Sequence, residues 1–178
     1  VEKTGVQKLA HVLHILVTAV FACNLAALFF VPALPLMHYA ALRGTHTATV
    51  LFSLPTDWVQ EMGPIETVLA AFLLFCGTCT AAILWQAKLV LDTIAAQMPF
   101  CRKNSLCMKR AAVCCFLISG AALLRLCWGL WFYRSIRPFL TYNALFVPLF
   151  LIAGLLCMVM SALFRQAAEL KEENDLTI

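Results

Sequence analysis

Three groups of side chains in this sequence have the types and spacing for chemistry. Arg125 stands alone among leucines, a cysteine and two tryptophans in "AALLRLCWGLW". A permanent cation inside an apolar run calls for a carboxylate, an anion, an ion path or water as its partner. Cys76 and Cys79 form "CGTC", the C-x-x-C spacing of disulfide oxidoreductases, in which one thiolate at a helix N-terminus is activated for exchange. His11 and His14, in "HVLH", share a helix face at i,i+3. With Cys114, Cys115 or Cys157 they would make a soft-metal donor set of imidazole and thiolate. The sequence contains no G-x-x-x-x-G-K-[ST], G-x-S-x-G or H-E-x-x-H, so the usual catalytic templates do not fit.

Each group also has a plainer structural reading. Cys76 and Cys79 fall in the middle of an apolar run, away from any helix start, and no second external cysteine pair is present as a shuttle. Gly77 and Thr78 between them are small residues of the kind that let helices pack closely in lipid. Neutral histidines near the edge of an apolar run need no metal, and none is expected here. For Arg125 the plain reading is a clamp that fixes helix packing, and its weight depends on depth.

Depth is set by the elements that hold these residues. Of 178 residues 63% are hydrophobic and 12% charged, against about half and a quarter in soluble domains. Such a chain cannot cover its surface with polar groups, so lipid is the expected solvent. The net charge is only +4 and no basic block is present, which argues against direct nucleic-acid binding. Most of the nine cysteines lie inside apolar runs at irregular spacings, where a thiol behaves as a small hydrophobe and no pairing can be read.

A bilayer core takes about 20 apolar residues of helix. Four spans qualify, over about residues 9–32, 65–87, 111–132 and 142–164, in a single all-α membrane domain covering 1–178. The first follows Lys3 and Lys8 but exceeds the roughly 7–15 residues of a signal h-region, so it reads as a retained anchor. Val1 fits a GTG start codon and a complete chain. The N-terminus, the second connection and the tail hold Lys3, Lys8, Lys88, Arg102, Lys103, Lys109, Arg110, Arg165 and Lys171; the other two connections hold Arg43, Arg134 and Arg137. The positive-inside rule then places both termini in the cytoplasm and the protein in the cell membrane.

The external connection, 34–64, contains "THTATVLFSL", rich in β-branched residues and suited to an extended or interfacial segment closed by Pro55. Trp58 suits the head-group level. On the inner side the second helix continues through Lys88, Leu91 and Ile94 until Pro99 ends it, and the fourth continues through "RQAAELKEEN". Helices two and four are thus expected to project into the cytoplasm, flanking a turn at 97–108 and a tail at 165–178. Asn104 is expected to cap the third helix.

Arg125 then lies about 22 Å above Arg110 and about 13 Å below Arg134 along a helix. Its side chain leans back into the membrane. Burying that charge costs at least about 3 kcal/mol on insertion scales. Asn24 comes to nearly the same depth, Glu66 opens the second helix on the outer side, and Tyr142 and Asn143 open the fourth there. Arg125, Glu66 and Asn24 form the candidate intramembrane polar cluster.

Two inner-side stretches resemble a known family. "PFCRKNSLCMKR", Pro99 to Arg110, is similar to the P-F-x-x-x-N segment and following basic residues of an uncharacterised group of bacterial four-helix membrane proteins, the domain of unknown function 2975. "LFRQAAELKEENDLTI", Leu163 to Ile178, resembles that group's closing E-x-D-L-T signature. The departure from the pattern is in cysteine content, with Cys101 and Cys107 flanking the turn. The resemblance implies no enzymatic activity and no cofactor. It implies a membrane component encoded beside a small Cro/CI-like helix-turn-helix regulator. The matching residues Pro99, Phe100, Asn104, Glu173, Asp175, Leu176 and Thr177 either lock turn to tail or form a dock for that partner.

The reading that follows is a non-enzymatic membrane regulator or sensor, with the bilayer and a small cytoplasmic DNA-binding protein as partners and a homo-oligomer left open. The alternatives are small-molecule or ion binding or transport around Arg125, and intramembrane thiol redox at Cys76 and Cys79.

Overall fold

The computed structural model describes residues 5–31, 64–96, 98, 100–134 and 142–176. They form four α-helices, α1 (Gly5–Phe30), α2 (Pro64–Ala95), α3 (Arg102–Tyr133) and α4 (Tyr142–Leu176), with no strand among them. All four are long and apolar enough to cross a membrane. Continuous helix is what hydrocarbon demands, because every peptide group must find its partner within the segment. Residues 34–63, including Pro55, Trp58 and the suggested extended segment, lie outside the described residues, as do Pro99 and Thr177.

The apolar runs read from the sequence are the four helices, and α2 and α4 continue past their apolar cores as expected. At 32 residues, α2 is about 48 Å long, well over the roughly 30 Å of hydrocarbon. The third helix departs from expectation. It starts at Arg102, ahead of the expected Asn104 cap, so most of the expected turn is helical. Basic residues do not break a helix, and their presence was no signal of a loop. The residue at the N-cap is Cys101, extended at φ −133° and ψ 148°, with no side-chain cap. Asn104 is therefore not the cap. It sits in the first turn, donates its backbone N–H to Cys101 O at 3.0 Å, and its side chain is fully buried.

Successive helices run antiparallel and pack in chain order. On α1 and α2, His14 lies by Asp92, Phe21 by Trp85 and Leu28 by Gly77. On α2 and α3, Thr93 meets Asn104 and Arg125 meets Phe72. On α3 and α4, Ser105 meets Ser161, Phe116 meets Gly154 and Ser119 meets Val147. α1 makes no substantial contact with α3 or α4. The start of α1, the end of α2, the start of α3 and the end of α4 thus gather at one end, here called basal.

α3 is the centre of the assembly. Of its apolar stretch 39% is buried, against none of that of α1, and among the described residues α1 packs mainly on α2. Cys107, Ala111, Ala112, Cys115, Ile118, Ala122 and Leu126 form the buried face of α3. Five of these seven are alanine or cysteine. Small side chains let helices approach closely where lipid tails offer no hydrophobic drive to associate. At the distal end α3 stops with Arg134 in the left-handed region (φ 44°), its N–H bonded to Leu130 O; this is a helix-ending conformation more often given to glycine.

Candidate functional site

The basal end is where α2, α3 and α4 exchange polar contacts. Asn104 is buried against α2, with Thr93 Oγ1 2.8 Å from its Oδ1 position. Thr93 Oγ1 is also 2.7 Å from Val90 O, and a hydroxyl has one proton to give. Both contacts are satisfied when Thr93 donates to Val90 O and Asn104 turns its amide nitrogen toward Thr93, a swap of near-identical atoms. Beside it, Ser105 Oγ donates to Ser161 O at 2.9 Å and Ser161 Oγ donates to Ser105 O at 2.8 Å. The two hydroxyl oxygens are 3.2 Å apart. This reciprocal clasp draws the backbones of α3 and α4 together.

Charged residues surround the clasp. Arg102 donates to Glu172 at 3.3 Å across α3 and α4, and Arg165 donates to Glu169 at 2.9 Å within α4. Both pairs are exposed. The bond from Arg165 holds the Glu169 carboxyl below the ordinary carboxylate range. Arg102, Ser105, Leu106, Arg165 and Glu169 line a half-open cleft of about 300 Å³.

The residues singled out for docking divide accordingly. Asn104 is a buried fastener and not a contact surface. Phe100 is half exposed and Glu173 is exposed. Asp175 and Leu176 belong to the last turn of α4, their side chains outside the described residues. The clasp serines and Thr93 were not identified from the sequence. Ser105 looked like part of a turn, and Ser161 is one small polar residue in an apolar run; their alignment depends on the pairing of α3 with α4.

In the distal half, the Arg125 guanidinium stands over the Phe72 ring at 4.7 Å, a cation–π contact that ties α3 to α2. Asn24 Oδ1 is shielded and accepts no hydrogen bond, so Arg125 does not donate to it. The side chains of Glu66, Tyr142 and Asn143 lie outside the described residues. The trio is thus not joined through the Asn24 carbonyl, and among the described residues α1 packs mainly on α2.

Packing places the other two groups. Cys76 and Cys79 are free thiols. Gly77 between them is where Leu28 of α1 seats: a Cβ there would stand 2.6 Å from Leu28 Cδ2. His14 Nε2 lies 3.0 Å from Asp92 Oδ1, an ion pair when the imidazole is protonated. His11 is exposed. Among the described residues no three of His, Cys, Asp and Glu converge on a point.

The family model described as a protein of unknown function (DUF2975) matches residues 17–178. The match takes in α2, α3, α4 and both stretches that meet at the basal end. No curated protein and no solved structure matches the chain.

Proposed function

We propose that this chain, which belongs to the DUF2975 family, is a non-enzymatic membrane regulator or sensor whose basal end faces the cytoplasm and docks a small helix-turn-helix protein of the Cro/CI-like kind. One observation carries the reading. The stretches Pro99 to Arg110 and Leu163 to Ile178 contain the start of α3 and the end of α4, which are fastened by the Ser105–Ser161 clasp and the Arg102–Glu172 pair. A side chain spent on fastening leaves its exposed neighbours at fixed positions, which is what a docking surface needs. Lys103 and Glu173 are such exposed neighbours. The positive-inside rule supports a cytoplasmic basal end, since Lys88, Arg102, Lys103, Lys109, Arg110, Arg165 and Lys171 all lie on that half.

Crosslinking in the native host followed by mass spectrometry tests the reading. The expected result is a small helix-turn-helix protein captured by the wild type and lost from a Lys103→Glu/Glu173→Lys variant that keeps its helicity. Equal capture by both forms refutes the dock. A reporter fused after Ile178 that is reached from outside intact cells refutes the orientation.

The cation–π contact supports a clamp at Arg125, in preference to the alternative of a small-molecule or ion site there. Binding or flux that vanishes in Arg125→Leu, with the fold retained, would reverse that preference. Labelling of Cys76 and Cys79 by thiol reagents in intact membranes would revive the thiol-redox alternative.

A further inference from the structure

We propose that the cleft between the start of α3 and the extension of α4 seats the phosphate of an acidic phospholipid, with an acyl chain along the exposed apolar face of α3 that rises from it. The proposal depends on the membrane setting and is independent of whether a protein docks at the basal end.

The cleft has the chemistry of a phosphate seat. Arg102 and Arg165 both line it, one from each helix. Each gives one nitrogen to a carboxylate, Glu172 and Glu169 respectively. A guanidinium has five N–H donors, so most of each fork remains for a second acceptor. The carboxylates also restrain two long side chains that would otherwise lose rotamer freedom on binding. The five lining residues carry two cations against one anion, and the exposed Lys103, Lys109 and Arg110 add positive charge nearby. Arg102 also opens α3, at the positive end of its dipole.

Position turns a phosphate seat into a lipid seat. On α4 the cleft lies where charged residues give way to apolar ones, at Phe164 to Arg165; on α3 its residues lie about one to two turns on the basal side of Arg110, the last charged residue before the apolar run. Basic pockets between spans at this level meet lipid head groups already concentrated there. Leu106 is both a wall of the cleft and an exposed apolar side chain. Above it on the same helical face come exposed Arg110 and then Val113, Leu117 and Leu124, all exposed, at helical steps that keep the stripe aligned, so the apolar ridge proper starts at Val113 above a further guanidinium. Gly120, on that stripe, has open space where a Cβ would stand. On α4, Met158, Leu155 and Leu151 rise from Arg165 at helical spacing and are also exposed. Two apolar ridges with a guanidinium at each foot fit an anionic head group and its tail.

The test uses the full chain in nanodiscs of phosphatidylcholine doped with phosphatidylglycerol, with retained lipid counted by native mass spectrometry. Wild-type protein is expected to retain phosphatidylglycerol in preference to phosphatidylcholine. Arg102→Gln/Arg165→Gln should weaken that retention roughly tenfold, and Lys103→Gln/Lys109→Gln, with the same loss of charge outside the cleft, should weaken it clearly less. Arg165→Lys keeps the charge without the fork and should fall between them. Helicity is measured on every variant, and if the double variant unfolds the comparison rests on Arg165→Lys against the lysine pair. Three results overturn the proposal: no preference for phosphatidylglycerol, equal weakening by the lysine pair, or displacement by soluble glycerol 3-phosphate at matching concentration. The last would make the cleft a site for free phosphate esters.

Discussion

Where α3 meets α4, serine hydroxyls bond to backbone carbonyls across the seam, and the Phe116 ring fills the space above Gly154. Where α1 meets α2, the contacts are a tilted ring pair, Phe21 with Trp85 at 6.0 Å, and Leu28 over Gly77. His14 Nε2 also lies 3.0 Å from Asp92 Oδ1 there, while Asn24 Oδ1 on α1 and Gln86 Oε1 on α2 are shielded without a hydrogen bond. Lipid tails are as apolar as leucine, so burial of leucine does little to join helices in a bilayer, and close packing and polar bonds decide the strength of a seam. By that measure α3 and α4 form the rigid pair and α1 the loosely held one. The proposed sensor role would use such a gradient, because the elements that move come from the weakly fastened end of a structure.

The comparison is broken most directly by removing a polar group from each side. Asn104→Leu strips a fully buried, bonded amide and should destabilise the protein by about 2–3 kcal/mol, since Thr93 also loses a partner. Asn24→Leu removes an acceptor with nothing to accept and should be neutral or stabilising. Both are read by thermal unfolding in detergent, and a larger loss from the Asn24 variant would reverse the ranking of the seams.

A smaller contrast lies in the glycines. Gly154→Ala places a Cβ 2.8–3.1 Å from three atoms of the Phe116 ring, a stiff group, and should cost about 1–3 kcal/mol as overpacking. Gly77→Ala meets the flexible end of Leu28 and should cost less than about 1 kcal/mol. Fluorescence transfer between labels on α3 and α4 should change in the first variant only.

The smallest effect is electrostatic. Glu169 in the folded protein titrates below its unfolded value because Arg165 donates to it. The contribution of that pair is therefore complete above the ordinary glutamate pKa of about 4.3 and is lost as pH falls through the lower folded value. Glu169→Gln should lower the neutral-pH stability slightly, because an exposed pair is weak, and flatten that part of the acid-side profile, so that variant and wild type converge at low pH. A parallel profile for wild type and variant from neutral to acid would show that the pair contributes nothing.

The spans were legible because a continuous apolar run of sufficient length has few other places to go. The continuation of α2 through Lys88 and Asp92 was legible too, since Leu89, Leu91 and Ile94 keep appearing among polar residues. The start of α3 was misplaced because Arg102, Lys103, Asn104 and Ser105 are equally at home in a turn and in a first helical turn. Arg125 was recognisable as a buried cation by its neighbours, but Phe72 as its partner was not, since an aromatic ring in an apolar run carries no mark of what faces it. Gly77 was legible as a packing residue, whereas Gly154 drew no notice.

The order of residues alone determined four apolar helices, the polar ends that limit them, and the family to which the chain belongs. Only the tertiary structure decided that α3 is the centre, that Ser105 finds Ser161, and that Arg102 and Arg165 share a cleft. Hydropathy is a property of one segment, summed over neighbours in the chain. A hydrogen bond between helices depends on register and rotation between segments more than 50 residues apart, and close packing of the whole assembly fixes those two quantities.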